Sequence, residues 1–363
     1  MASLSKEHSL KISLLKFLLC IGVVMIHCQI NPMSWSEIMG GGQNVTAFTV
    51  FQKVFANIIL DNSCVPIFYT ISGYFLFFRN QTSYSIADYK SKLNSRFKGI
   101  FLPFLIANSI YVIWFRILPS FKEQTFDIHV LYDVITSYWM YESTGLPING
   151  PLWYMRDLMV LILLSPLIYH SVRLFGKYLV CGLFLAMIFL DQSFVESFHY
   201  HLYPIAFVSL GCYIAIGGFD FVSFFKIHRL RFVYLLSYLA IILTTTYIGV
   251  SRFEDSFEYN LLIRLCQITS LPFAVSLVSF IKQTYAEFVV SHDMVTASFF
   301  VFLYHYSFQI PARIYHHVSL HNTCFEFIIY FVGCFIEIAI LLCIYYMLKK
   351  KAPKIASYFV GGR

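Results

Sequence analysis

The chain carries little charge for its length. Only 12% of its 363 residues are Asp, Glu, Lys or Arg, against about 25% in soluble domains. Apolar runs recur from residue 12 to residue 347, and they are long enough to span a bilayer. They leave no stretch for a separate soluble domain. Together with a mean hydropathy of +0.69 and 19% aromatic residues, this composition excludes an ordinary soluble enzyme and predicts a polytopic, all-α membrane protein.

The sequence also lacks the signatures of metal sites, disulfide frameworks and secretion. Its nine cysteines form no CxxC pair and show no metal-ligand spacing, so we expect small buried side chains and no bound metal. No small-residue cleavage site follows the first apolar run, which argues against a cleaved signal peptide. The net charge of +7 is expected to mark cytoplasmic loops and not a nucleic-acid partner.

About ten transmembrane helices are predicted from the apolar runs, at about 20 residues for each span. They cover residues 12–30, 56–78, 99–118, 149–170, 178–195, 202–219, 232–250, 261–281, 295–315 and 323–347. With the N-terminus inside, 18 of the 26 lysines and arginines fall in cytoplasmic segments and 6 in outer segments. This asymmetry predicts that both termini are cytoplasmic.

Two ionisable residues lie within the first apolar run, at Lys16 and His27. Eleven helical positions return to within about 20° of the starting direction, so both side chains are expected on one face, roughly 16 Å apart along the axis. Ionisable groups inside a span usually face the bundle interior or a wet cavity. Alone, Lys16 is also explained by snorkelling to the interface, and His27 by a satisfied core position. Together they predict a polar corridor across most of the bilayer.

A basic residue, ten intervening residues and a histidine in the first helix resembles the signature of the acyltransferase-3 family of integral membrane acyltransferases. Three more stretches resemble family motifs: "VPIFYTISGYFLFFR" (65–79), "KLNSRFKGIFLPFL" (92–105) and "GPLWYMRDLMVLILLSPL" (150–167). "FFVFLYHYSF" (299–308) is a weaker match to a late helix that often carries a histidine. The resemblance implies a stand-alone member with one transmembrane acyltransferase domain over residues 1–363, its motifs concentrated in residues 11–167, similar to polysaccharide O-acetyltransferases.

The resemblance implies transfer of an acyl group, usually acetyl, from cytosolic acetyl-CoA or another acyl-CoA to a hydroxyl of an extracytoplasmic glycan or lipid-linked sugar, with membrane lipids as surroundings and no metal. The location it implies is a plasma membrane, the inner membrane of a bacterium. The acceptor sugar, the oligomeric state and the choice between direct transfer and a covalent acyl-enzyme are left open by the sequence.

The candidate residues fall into groups according to their predicted depth in the helix bundle. His27 is the candidate general base, because an imidazole can accept a proton near neutral pH, and either Asp61 or Asp157 is the candidate that orients it. The candidates for donor binding near the inner face are Lys16, Ser72, Gly73, Lys92, Arg96 and Lys98. Those for acceptor binding near the outer face are Trp153 and Arg156, although Arg156 and Asp157 also fit a purely structural ion pair.

Two other functions remain open. A transporter or flippase for a soluble or lipid-linked sugar would line its path with Lys16, His27 and Arg156, but no inverted repeat of the kind typical of transporters is visible. A different class of membrane O-acyltransferase would place its key histidine in a late helix, at His305. Glu337, in the middle of the last predicted span, is expected to have a buried partner.

Overall fold

The structure is a computed structural model of the 363-residue chain. It describes residues 5–41, 45–123, 132, 135–140, 145–190, 202–225, 230–318 and 322–362. All regular secondary structure within these residues is helical. The predicted class, an all-α polytopic membrane protein, is therefore confirmed.

The first half of the described chain contains ten α-helices, and two of its spans continue through π-helical segments. The α-helices are α1 (Lys6–His27), α2 (Trp35–Met39), α3 (Ala47–Gln52), α4 (Asp61–Phe77), α5 (Ile86–Arg96), α6 (Leu102–Val112), α7 (Leu118–Lys122), α8 (Trp153–Leu163), α9 (Ser165–Phe175) and α10 (Lys177–Phe189). The π-helical segments are Lys53–Leu60, Phe97–Phe101 and Ile113–Ile117, and a 3₁₀ turn at Gly150–Leu152 opens α8.

The second half of the described chain adds nine α-helices. They are α11 (Leu202–Ile216), α12 (Phe221–Phe225), α13 (Arg231–Arg252), α14 (Phe257–Phe280), α15 (Gln283–Ser291), α16 (Met294–Tyr304), α17 (Ile310–Val318), α18 (Thr323–Lys351) and α19 (Pro353–Phe359). A 3₁₀ turn at His305–Ser307 follows α16.

Six helical segments of the described chain, 21 to 37 residues long, have the length and composition to cross a membrane. Two pairs of helices pass the same test together but are bent by 67° and 70°, and two shorter apolar helices, α10 and α11, complete the set. Each of the ten predicted spans overlaps one of these segments. How many of them cross the bilayer stays a prediction, and residues 191–195 of the fifth predicted span lie outside the described residues.

Two predicted spans are not continuous helices. The span predicted at 149–170 is divided between α8 and α9 at Leu164, because the ring of Pro166 removes an amide donor and clashes with the preceding turn. The span predicted at 295–315 is interrupted after Tyr304 by the 3₁₀ turn and by Gln309, whose φ is 43°. His305 therefore lies in a turn and not inside a helix.

Contacts between connecting segments agree with the alternation of sides that the threading predicts. On the predicted inner side, His8 Nδ1 lies 2.6 Å from Asp220 Oδ2. On the predicted outer side, Lys53 and the Trp35 amide both donate to Glu254, at 2.7 and 2.8 Å. Burial alone would raise the pKa of Glu254, but these hydrogen bonds outweigh it and hold that pKa below its usual value. Which of the two sides is cytoplasmic stays a prediction.

Helices α4 and α11 cross at a short distance in the core. A Cβ atom at Gly73 would lie 2.3 Å from the carbonyl oxygen of Val208, and one at Gly211 would lie 2.1 Å from that of Thr70. Only glycine allows two backbones to approach this closely. Gly73, a predicted donor-binding residue, is in this structure the point where a neighbouring helix approaches.

Candidate active site

His27 is the last residue of α1, and its half-buried side chain packs against the turn that follows α16. Its ring centroid lies 5.3 Å from that of His305 and 5.6 Å from that of Tyr306, whose ring meets it edge-on. The predicted base therefore faces protein and not lipid. Its neighbours are His305, the key histidine expected for the alternative acyltransferase class, and the tyrosine that follows it.

The ring of His305 is oriented by backbone carbonyl groups of the preceding turn of α16. The residue is 1% exposed, and its Nδ1 lies 2.9 Å from the carbonyl oxygen of Phe302 and 3.3 Å from that of Val301. Its Nε2 is buried and has no hydrogen-bond partner among the described residues. The "LYHY" stretch was the only sequence signal for this residue, and periodicity gave no indication that it meets His27.

Glu337 secures the turn that carries His305. This fully buried side chain on α18 accepts a hydrogen bond of 2.8 Å from the amide of Ile310, the first residue of α17. Free amides at a helix N-terminus favour a carboxylate. The buried partner that the sequence required for Glu337 is thus a backbone group, which a search for charged partners along the sequence would miss.

Three of the predicted outer residues line one cavity, which has a volume of about 220 Å³. Asp61, Trp153 and Arg156 line it together. The remaining lining residues are Asn62, Val65, Pro66, Leu146, Tyr203 and Gln267, none of which the sequence singled out. An indole ring, a carboxylate, a guanidinium and two amides around one space match what a sugar ring offers, namely apolar C–H faces and hydroxyl groups.

Arg156 and Asp157 form a buried ion pair at the start of α8. Arg156 Nε lies 3.1 Å from Asp157 Oδ1, and the two residues are 4% and 2% exposed. Arg156 Nη1 also donates to the carbonyl oxygens of Gly145 and Trp139, at 2.9 and 3.2 Å. Arg156 therefore binds two described residues of the predicted outer loop as well as lining the cavity.

One turn of chain, from Gly150 to Trp153, touches both the Tyr306 ring and the cavity. A Cβ atom at Gly150 would lie 3.5 Å from the Tyr306 ring, and Trp153, three residues later, lines the cavity. Asn149 Nδ2 also donates to the carbonyl oxygen of Leu303, at 3.2 Å. Within the described residues, no hydrogen bond or ion pair joins His27 to Asp61 or Asp157. The assignment of either carboxylate as the partner of His27 stays a prediction.

Lys16 is also directed at protein. Its Nζ lies 4.3 Å from the centre of the Phe75 ring on α4, a cation–π distance. Between Lys16 and His27 on the same stripe, Cys20 and Val23 are buried in the apolar core. The two ends of the predicted corridor therefore face the bundle, while packed side chains fill the stripe between them.

The remaining predicted donor residues differ in how far protein contacts occupy them. Ser72 Oγ shares a 2.8 Å hydrogen bond with Tyr154 OH. Lys92 donates to Asn80 Oδ1 at 2.6 Å and lies over the rings of Tyr84 and Phe77, at 4.4 and 5.0 Å.

The other two predicted donor residues of this segment are the cations Arg96 and Lys98. Arg96 is half-buried at the end of α5, and Lys98 is exposed on the following π-helical segment. Arg96 is near enough to Tyr154 to interact with it electrostatically. Among the described residues, no group of three or more His, Cys, Asp or Glu side chains could hold a metal ion.

The sequence matches the family model of an acyltransferase domain, acyltransferase-3, over residues 10–350. It is also similar to the succinoglycan biosynthesis protein ExoH of Rhizobium meliloti (strain 1021), with 26% identity over 372 aligned positions that cover 98% of this chain and 92% of the relative. No solved structure matches the chain significantly.

Proposed function

The chain belongs to the acyltransferase-3 family, and from this premise we propose that it is a membrane O-acyltransferase that modifies a glycan outside the cytoplasm. The donor is acetyl-CoA on the cytosolic side, and the acceptor is a hydroxyl of a polysaccharide or of its lipid-linked precursor. The proposal places the protein in a bacterial inner membrane. The name of its relative, which refers to succinoglycan biosynthesis, supports a glycan as the acceptor.

The observation that carries this proposal is the position of His27 at the predicted outer end of α1, in contact with His305 and Tyr306. The imidazole of His27 takes the proton of the acceptor hydroxyl as its oxygen attacks the thioester carbonyl carbon. The carbon–sulfur bond then breaks. The leaving CoA thiolate takes the proton back from the imidazolium, so that an ester and free CoA are formed.

The acceptor sugar is proposed to occupy the 220 Å³ cavity, where its apolar face stacks on Trp153. Its hydroxyls donate to Asp61 and accept from the guanidinium of Arg156, with the amide of Gln267 as a further partner. This assignment keeps Trp153 and Arg156 as acceptor residues and gives Asp61 a binding role beside its predicted catalytic one.

The donor is proposed to enter from the inner face. Arg96 and Lys98 would meet its phosphates, because guanidinium and ammonium groups form strong charge-assisted hydrogen bonds with phosphate. Lys16 and the Ser72–Tyr154 hydroxyl pair lie along the route of the pantetheine arm. Since Cys20 and Val23 are packed in this structure, the proposal requires α1 to separate from its neighbours when the donor binds.

The test uses purified protein in lipid nanodiscs, acetyl-CoA, and the surface polysaccharide isolated from a strain that lacks the gene. Free CoA and the acetyl mass on the polysaccharide are measured together. We expect His27→Gln to abolish both, while His170→Gln, a change at an exposed histidine of α9, leaves them unchanged. If the wild-type protein releases no CoA and adds no acetyl mass to the polysaccharide, the proposal is wrong, and uptake of the polysaccharide into sealed liposomes by the same protein then tests the transporter alternative.

A further inference from the structure

The hydrogen bonds of His305 determine which of its ring nitrogens carries the proton. Carbonyl oxygens only accept hydrogen bonds, and Nδ1 lies 2.9 Å from the carbonyl oxygen of Phe302. Nδ1 is therefore the protonated nitrogen, and in the neutral ring Nε2 keeps a free lone pair. The backbone of α16 fixes both the tautomer and the orientation of the imidazole.

The free lone pair of His305 is buried and has no partner among the described residues. Most buried polar atoms of native proteins are hydrogen-bonded, because an unpaired acceptor loses its water without compensation. A buried acceptor without a partner suggests that a hydrogen-bond donor approaches it during the reaction. The polar ring next to it is that of His27, at a centroid distance of 5.3 Å and an interplanar angle of 42°.

The surroundings hold the two rings near each other. Tyr306 packs edge-on against His27 at 5.6 Å and lies parallel to Tyr111 at 5.9 Å, while Glu337 anchors the far end of the turn through the amide of Ile310. For a hydrogen bond between the two rings, the His27 side chain has to turn so that one of its ring nitrogens points at His305 Nε2, and the centroid distance of 5.3 Å leaves room for that bond.

Neither carboxylate expected to orient His27 forms a hydrogen bond or an ion pair with it among the described residues. Asp157 is paired with Arg156, and Asp61 lines the 220 Å³ cavity. We propose that His305 replaces them as the positioning residue of the acyltransferase site: its Nε2 accepts the N–H of the His27 ring, so that the other nitrogen of His27 faces the acceptor hydroxyl. This inference rests on the proposed function of His27.

A neutral acceptor suits this position. If the acceptor for His27 were a carboxylate, it would have to be paired or would lose its charge in the apolar bundle. A neutral imidazole can be buried there with one hydrogen bond. As His27 takes the proton of the hydroxyl, its other N–H becomes a stronger donor. The hydrogen bond to His305 therefore strengthens in the transition state, where it raises turnover and not substrate affinity.

Two substitutions at His305 separate positioning from structure. In His305→Gln the side-chain oxygen lies near the place of Nε2, so the acceptor for His27 is kept and the backbone anchor is lost. In His305→Asn the amide nitrogen lies near the place of Nδ1, so the anchor is kept and the acceptor is lost. A purely structural role predicts that the Asn variant is the better enzyme. The positioning role predicts that the Gln variant is better.

The experiment measures kcat and KM for acetyl-CoA and for the polysaccharide from the deletion strain, with protein in nanodiscs. We expect kcat to fall at least tenfold in His305→Asn, since a residue that orients a general base shares in its contribution of roughly 10²–10⁴-fold. We expect His305→Gln to keep kcat within about threefold of wild type, because it keeps the acceptor at Nε2, and both KM values to stay unchanged.

Higher turnover in His305→Asn than in His305→Gln would overturn the proposal, and so would loss of folding in the Gln variant, because the ring would then serve the fold. A His27→Gln variant, measured in the same assay, distinguishes a failure of the proposed function from a failure of the positioning role. If it has no activity while the His305 variants do not differ, the proposed function stands and the positioning role fails. If it keeps wild-type turnover, both fail.

Discussion

Replacing Arg156 by Gln removes a buried cation and leaves its partner behind. Arg156 holds Asp157 at 3.1 Å and donates to two carbonyl oxygens of the outer loop, and both side chains are at most 5% exposed. Removing one member of a buried ion pair destabilises a protein by roughly 3–5 kcal/mol, because the remaining charge is buried without a partner. We therefore expect Arg156→Gln to be among the most destabilising single changes near the cavity.

The double substitution Arg156→Gln with Asp157→Asn isolates the contribution of the unpaired charge. Asn has the size of Asp and carries no charge, so the double variant is expected to recover most of the stability that the single variant loses. The lost hydrogen bonds from Arg156 to Gly145 and Trp139 should remain as a deficit of about 1–3 kcal/mol. The acceptor KM should stay raised in both variants, because both lack the guanidinium that lines the cavity.

The assay is unfolding of the purified protein by sodium dodecyl sulfate in a mild detergent, followed by circular dichroism and combined with kinetics. A double-mutant cycle gives the coupling between the two residues. A double variant no more stable than Arg156→Gln would refute the reasoning about the unpaired charge. A double variant with wild-type acceptor KM would show that Arg156 serves the fold alone.

Two other changes test the helix crossing and the donor site. Gly73→Ala places a Cβ atom 2.3 Å from the backbone oxygen of Val208, so we expect the free energy of unfolding to fall by about 1–3 kcal/mol in the same titration. The control is Gly182→Ala, where a Cβ meets nothing within 4 Å, and it should have little effect. Equal effects of the two changes would show that the helix crossing is not the reason for glycine at position 73. Arg96→Ala is expected to raise the KM for acetyl-CoA roughly tenfold, as for the loss of one charged hydrogen bond, with kcat unchanged; an unchanged KM would remove Arg96 from the donor site.

Hydrophobicity along the chain predicted the class of fold well, because each span must satisfy its backbone hydrogen bonds internally and so reads as a continuous apolar run. The predicted family was confirmed by the match over residues 10–350. The break of the late span at His305 was not predicted. It coincides with a left-handed Gln309 and with a hydrogen bond to the distant Glu337, although Pro311, two residues after Gln309, is a local signal for a helix boundary.

The part of the candidate site that lies on a single helix, α1, could be predicted from the sequence. Lys16 and His27 both face protein, as their shared helical face suggested. Contacts between distant segments were not predictable from one sequence. The meeting of His27 with His305 joins residues 278 positions apart, and the cavity adds Tyr203 and Gln267 from helices that carry no recognised motif.

The central claim is that His27 supports acyl transfer from acetyl-CoA to a surface glycan, and single-turnover acetyl transfer in nanodiscs tests it most directly. With acetyl-CoA labelled in the acetyl group, the wild-type protein and His170→Gln are expected to move the label to the polysaccharide at equal rates. His27→Gln is expected to bind acetyl-CoA normally and to transfer the label roughly 10²–10⁴-fold more slowly. Transfer by His27→Gln at the wild-type rate would contradict the account.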